Sequence, residues 1–316
     1  MNIIDKNFYE LVNTINKMDV NEIFENIKDN YMKVHPDTRA SIEKFVNNFN
    51  YWGTLNENNN DFNLIYDKSL SFYEHLEDYI WLYKNLKDYR SKKLLYGILN
   101  NLYRYDFITL KECYDSTFKH YFDLNLIPTC SNSVFVDLGA YTGDTILDFI
   151  NTYGEYSYDK IYAYDITKTS IAKMKNNLAK YDNIIYRNVA VSDKEESLYI
   201  KESNVDASAN IVNNEGNNEI KATTIDNDIK EKISIIKMDI EGYEQKAING
   251  AINHIKNDNP ILLISVYHNN EDLWKIPKMI YEINNNYDFY LNSHGSNVFP
   301  TEIVLVCIPK KVTNLI

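Results

Sequence analysis

From Phe8 to about Pro128 apolar residues recur at helical spacing, as in Phe8, Leu11, Val12 and Ile15, and again in Ile42, Phe45, Val46 and Phe49. The pattern predicts a helical region over residues 1–130. Asp37, just after Pro36, reads as a helix N-cap, and GTLNENNND (53–61) reads as a polar loop. Two further helices are expected through Tyr73–Leu86 and Arg90–Leu102. Near Ser133 the period changes. VFVDL (134–138), KIYAYD (160–165), IIYRNVAV (184–191), ISIIKMD (233–239) and ILLISVY (261–267) are short apolar runs of the kind that form buried strands. Helical patterns fill the gaps at Thr145–Tyr153, Lys168–Tyr181, Glu241–Lys256 and Asp272–Asn285. Strand and helix in alternation imply a mostly parallel sheet covered on both faces. LYIK and EIKATTI, around the loop VNNEGNN, read as a hairpin excursion, and FYLNS and EIVLVCI are too close together for a crossover helix, so they should pair antiparallel. Residues 131–316 therefore read as a separate α/β domain with a terminal antiparallel hairpin.

A chain of 316 residues suggests two domains, and 44% hydrophobic with 25% charged residues excludes a wholly disordered chain. No stretch approaches the roughly 18 apolar residues of a membrane span, and the first residues lack an apolar signal-peptide core, so a cytoplasmic protein is expected. A net charge of −12 argues against binding the nucleic-acid backbone through counterion release. Cys113, Cys130 and Cys307 form no C-x-x-C pair, which speaks against a disulfide scaffold or a thiolate zinc site. The excess of Lys, Asn, Ile and Tyr is the bias of an AT-rich bacterial genome, so Asn runs carry no functional weight.

The candidate chemistry begins at Asp137-Leu-Gly139-Ala-Tyr-Thr-Gly143-Asp144, where the first strand runs into a helix. Two glycines at G-x-x-x-G spacing allow a tight turn and close approach of a ligand to the strand ends. The spacing is not the G-x-G-x-x-G of dinucleotide sites, and Asp144 at the expected N-cap would repel a pyrophosphate. A cationic or neutral ligand is favoured. S-adenosylmethionine fits, with Asp137 holding its ammonium directly or through water and Asp165, at the end of the second strand, accepting from both ribose hydroxyls.

The chain resembles the FkbM family of S-adenosylmethionine-dependent methyltransferases in VFVDLGAYTGDT (134–145), IYAYD (161–165), NVAVSD (188–193), IIKMDIEGYEQKAINGA (235–251), ISVYHNNEDLWKIP (264–277) and TEIVLV (301–306). The resemblance implies a class I, Rossmann-like methyltransferase with a mostly parallel seven-stranded sheet. It also implies O-methylation, commonly of sugar hydroxyls in glycans or glycosylated metabolites. Its cofactor site would include Tyr141, Thr142, Asn188, Ala190 and Asp239 beside Asp137, Gly139, Gly143 and Asp165. One departure is Asp165-Ile166, where family members often carry Glu-Pro.

Ligands of open α/β sheets bind beyond the carboxyl ends of the strands, which makes His268 the candidate general base and Glu241 its partner or a sugar binder. Lys237 reads as structural, with its head paired to a carboxylate. His294 and Glu302 are candidate substrate-side residues. No metal site is assigned, although Asp239, Glu241 and His268 offer donors that a magnesium-dependent alternative would use. Tyr79, Tyr83, Tyr96, Tyr103 and Tyr105 stand at helical spacing and read as core rather than as a sugar platform. A nicotinamide-dependent oxidoreductase and a non-catalytic module of a glycosylation complex are the competing readings. The acceptor, and whether the chain self-associates or docks on such a complex, stay open.

Overall fold

The computed structural model describes residues 1–49, 51–201, 211–213, 218–296 and 298–310. They form two compact units that interleave along the chain. One comprises Met1–Asp115, Val266–Lys278 and Phe289–Leu305; the other comprises Ser116–Ser265, Met279–Asp288 and the C-terminal segment from Val306.

The first unit opens with helices α1 (Ile3–Ile15), α2 (Val20–Met32), α3 (Pro36–Phe49), α4 (Asn63–Asn85), α5 (Tyr89–Arg104) and α6 (Phe107–Glu112). Side chains cap the first two: Asn2 and Asp5 form a capping box on α1, and Asp19 and Glu22 form one on α2. At α3 the expected cap is corrected. Pro36 is the first helical residue and Asp37 lies in the first turn, because a proline ring presets the helical φ and lacks the N–H that a cap would satisfy. The apolar stripe Phe8, Leu11, Val12 and Ile15 is buried, and Phe8 stacks on Tyr83 with centroids 3.7 Å apart. The tyrosines at 79, 83, 96, 103 and 105 are all buried, which is the core role their spacing predicts. Helix α4 begins ten residues before the expected Tyr73 and is kinked at His75, whose ring stacks on Trp274 at 4.0 Å and bonds Asp78 at 2.9 Å.

The sheet has seven strands: β1 (Ser133–Leu138), β2 (Tyr158–Tyr164), β3 (Ile184–Arg187), β8 (Ile235–Met238), β9 (Ile261–Ser265), β10 (Tyr287–Ser293) and β11 (Ile303–Pro309). Their order is β10-β11-β9-β8-β1-β2-β3. β1 lies between β2 and β8, parallel to both, with Leu138 opposite Tyr164 and Met238, and β2–β3 and β8–β9 are parallel too. The terminal pair is antiparallel: His294 N–H donates to Glu302 O, and at the other end Lys310 N–H donates to Asn286 O. Helices α7 (Asp144–Tyr153), α8 (Lys168–Asn177), α9 (Ile225–Asp228), α10 (Glu244–Asn249), α11 (Ile252–Asn257) and α12 (Asp272–Ile283) complete the elements.

Two sequence expectations change here. IIYRNVAV is not one strand but β3 and then β4 (Ala190–Val191), which belongs to a second sheet. The chain leaves the first sheet at Asn188, whose side-chain amide donates to Asp165 O at 3.0 Å. The second sheet, β4-β7-β5-β6, contains β5 (Glu196–Lys201), β6 (Ile211–Asn213) and β7 (Asn218–Thr223) around a small core of Ala190, Leu198, Val212, Ile220 and Ala222. The expected excursion is thus a sheet rather than one hairpin, and 214–217 of its loop lie outside the described residues. The helix expected over Glu241–Lys256 is divided. Glu241 and Gly242 hold left-handed φ angles of 57° and 96°, and at Gly250 a Cβ would stand 2.1 Å from Ser192 O, so a tight turn precedes α10 and a close backbone crossing separates it from α11.

Candidate active site

In the second unit the ends of β1, β2 and β8 open into a cleft. Gly139, φ 77°, passes so close to the end of β8 that an added Cβ would meet Asp239 O at 1.8 Å. Gly143, φ 84°, is the N-cap of α7 and packs on Leu178 and Met174. This corrects the expected cap: Asp144 is the first helical residue, since the left-handed turn needs glycine at the cap position. Its charge still stands in the first turn, where it opposes an anion.

Asp165 lines the cleft and locks the turn. Its Oδ2 accepts from Tyr141 N–H at 3.0 Å, and its Oδ1 accepts from Thr167 N–H and Oγ1–H, both at 2.8 Å. Burial raises its carboxyl above the ordinary carboxylate range, against the lowering by these bonds. Oδ1 is filled by its two bonds, and Oδ2 keeps lone-pair capacity for a ligand hydroxyl. Asp137 is placed differently from expectation. It is fully buried, does not line the cleft, and pairs with Lys237 Nζ at 3.0 Å. A carboxylate inside a continuous apolar strand must be paired, and Lys237, opposite it on β8, supplies the charge. Burial raises the Asp137 carboxyl, with Lys237 opposing. For Lys237 burial works against the charge, but Asp137 and Asp239 outweigh it and hold the ammonium above its usual range. Lys237 also donates to Gly139 O at 2.8 Å, so the pair fixes the start of the glycine turn, which is the structural role its sequence suggests.

Asp239 and Glu241 line the cleft as β8 ends. Tyr121 donates to Asp239 Oδ2 at 2.8 Å and bonds Ser265 Oγ at 3.3 Å. Of the other expected cofactor residues, Tyr141 and Ala190 line the cleft, whereas Thr142 and Asn188 support it from behind, Thr142 O accepting from Asn177 and Asn188 bracing Asp165. The sequence reading missed Thr145, Ile166, Val189, Val191, Val212, Tyr164 and Tyr243, which supply an apolar wall and two further aromatic rings. Thr145 and Val189 lie inside the motifs that were legible; Val212 and Tyr121 carry no local signal. The left-handed turn, the carboxylate of Asp165, the apolar wall and the carboxylate of Asp239 fit the nucleoside and the ammonium of S-adenosylmethionine.

The remaining candidates lie in the first unit. His268 is 1% exposed, with its ring edge-on to Tyr51 at 5.5 Å. Its neighbour Tyr267 accepts at its carbonyl from Trp52 Nε1–H and donates its hydroxyl to Glu302 Oε1 at 3.1 Å, while Asn269 bonds Asp272 through N–H and side-chain amide. His294 and Glu302 face each other across the β10–β11 turn, joined by a backbone bond of 3.1 Å.

A model of the FkbM methyltransferase domain matches residues 137–296, which is half of the chain. The chain belongs to the FkbM methyltransferase family, whose methyl donor is S-adenosylmethionine. Its fold is similar to that of the FkbM methyltransferase of Methylobacillus flagellatus KT, at 23% identity and a TM-score of 0.64, over 75% of this chain and 60% of that one. This chain therefore spans about 60% of that relative's length. An rRNA methylase of Streptococcus thermophilus (13% identity, 58% of this chain, 90% of that one, TM-score 0.35) also aligns, at a score too low to weigh. So does fibrillarin of Aeropyrum pernix with S-adenosyl-L-methionine bound (9%, 58%, 69%, 0.37). Among curated proteins none matches.

Proposed function

We propose that this FkbM-family methyltransferase transfers a methyl group from S-adenosylmethionine to a hydroxyl of a sugar or glycan in the cytoplasm. The observation that carries the cofactor half is Asp165, held by Tyr141 and Thr167 against a left-handed glycine turn at the end of β1. In this reading Asp165 Oδ2 accepts from a ribose hydroxyl, Ile166, Val189 and Val191 enclose the adenine, and Asp239 attracts the methionine ammonium. Asp137 acts only through Lys237, by fixing the turn.

S-adenosylmethionine supplies an electrophilic methyl group on a good leaving group, so the protein must mainly orient the hydroxyl and take its proton. His268 is the proposed base, receiving that proton on a ring nitrogen; the acceptor oxygen forms its bond to the methyl carbon as the carbon–sulfur bond breaks. β8 and β9 run parallel with Met238 opposite Ile264, so Asp239 and Ser265 leave the sheet on one edge, and His268 follows three residues later. Glu241 is proposed to orient the imidazole or hold a neighbouring hydroxyl, and His294 and Glu302 to contact the acceptor.

The test is calorimetry with S-adenosylhomocysteine together with methyl transfer to glycan extracts. Asp165→Ala should weaken S-adenosylhomocysteine binding by about 1–3 kcal/mol, because a ribose hydroxyl loses its acceptor. Unchanged affinity would remove Asp165 from the site, and tight cofactor binding without transfer to any glycan would remove the glycan acceptor.

A further inference from the structure

Lys68 sits on α4, 4% exposed, in a place the methyl-transfer chemistry does not use. Its ammonium stands 4.6 Å from the ring centre of Phe299 and 5.6 Å from that of Tyr105. Among the described residues no carboxylate and no hydrogen-bond acceptor meets it. A buried cation is ordinarily paired, since removal from water costs several kcal/mol per charge. Burial accordingly pushes this amine down to about 7. Ring faces lower the cost of the charge without neutralising it.

Lys68 lines a small cavity within the first unit. Trp52, Tyr79 and Phe299 provide aromatic wall, and Tyr267, Asn269 and Asn270 provide polar wall. The Trp52 N–H is already committed to Tyr267 O, so the indole offers the cavity only apolar surface. The polar wall is the segment that flanks His268 on both sides. An apolar enclosure with a few placed polar groups is the ordinary form of a small-molecule site, and aromatic surface suits the C–H face of a sugar ring.

We propose that this cavity is an acceptor subsite that receives the carboxylate of an acidic sugar, with Lys68 as its counter-ion. The inference rests on the glycan-acceptor reading above and narrows it to a hexuronate-bearing glycan. A carboxylate is favoured over a phosphate because the cavity offers one cation for one charge. Phosphate recognition ordinarily draws on bidentate arginine, and the wall contains none.

The experiment is calorimetry on the full chain with glucuronate and with glucose, repeated on Lys68→Met, which keeps the side-chain volume and deletes the charge. Glucuronate should bind the wild-type chain on the order of tenfold more tightly than glucose. Lys68→Met should abolish that preference while leaving S-adenosylhomocysteine affinity unchanged. Equal affinity for the two sugars, no glucuronate binding, or a preference that survives Lys68→Met would overturn the proposal, and the wild-type comparison decides without the variant. Methyl transfer to neutral glycans with no gain from a carboxylate would overturn this subsite and leave the glycan reading standing. Lysine-dependent glucuronate binding without transfer to any glycan would do the reverse.

Discussion

The helical stretch before Asp115 and the strand ends around Gly139 both bury polar groups, yet with opposite effects on the backbone. In the helices a buried phenol such as Tyr83 stacks on Phe8 and donates to Asp5, while the main chain around it stays regular. At the strand ends the main chain itself is bent: Gly139, Tyr141 and Gly143 hold positive φ within five residues, and Glu241 and Gly242 do so again after β8. A non-glycine residue in that region costs on the order of 1 kcal/mol or more. Packing alone gives no reason for such a cost at Tyr141 and Glu241. Both line the cleft, so on the proposed reading these two strained positions are where the cofactor would be met.

The comparison breaks hardest at Gly139. Gly139→Ala should abolish measurable S-adenosylhomocysteine binding and destabilise the chain by about 3 kcal/mol or more, since the Cβ would collide with Asp239 O in a left-handed backbone. Calorimetry and urea unfolding measure the two effects, and near-native binding would show that the turn relaxes without cost. By contrast Gly154, also at positive φ, has nothing within 4 Å of an added Cβ, so alanine there carries only the conformational penalty.

His268→Ala comes next. With His268 as base, turnover should fall on the order of 10²- to 10⁴-fold at unchanged cofactor affinity. A loss below tenfold would move the base elsewhere, with Glu241 the next group to replace.

The helical stretch should leave cofactor binding unchanged and answer in stability, and Lys68 gives the sign. Its folded amine titrates near 7 and an unfolded lysine near 10.4, so between these values the unfolded chain holds more protons and stability rises with pH. In Lys68→Met that rise disappears. The variant should be the more stable at pH 7, and its advantage should shrink by roughly 1 kcal/mol on going to pH 8. Urea unfolding at both pH values, with no sugar present, measures the difference, and an advantage that does not change with pH would mean that Lys68 finds a partner for its charge.

The smallest effect belongs to Tyr121→Phe, which keeps the ring that faces Lys237 at 5.4 Å and deletes the donor to Asp239. Binding of S-adenosylhomocysteine should weaken several-fold, about 1 kcal/mol. No change would mean that Asp239 is oriented without it.

Much of this was legible because it is local. The apolar runs that became β1, β2, β8 and β9 announce buried strands, the G-x-x-x-G spacing announces a turn, and Asp165 ends a strand by its place in the run. Lys237 as the partner of a buried carboxylate was legible from its place inside an apolar strand. The break between β3 and β4 was not, because IIYRNVAV reads as one strand-like run across Arg187 and Asn188, and the change of sheet shows only in the pairing of β4 with β7 and the bond from Asn188 to Asp165 O. Nor was the role of Asp137, since a carboxylate at a strand end looks the same whether it faces a ligand or a lysine on the neighbouring strand.

By itself, then, the sequence determined the order of helices and strands, the glycine turn and the family, because periodicity and short motifs act over a few residues. Tertiary structure alone decided which polar groups reach the cleft. Tyr121 finds Asp239 across 118 residues of chain and Lys68 meets Phe299 from a different element, contacts that exist only once packing has fixed which strand and helix lie side by side.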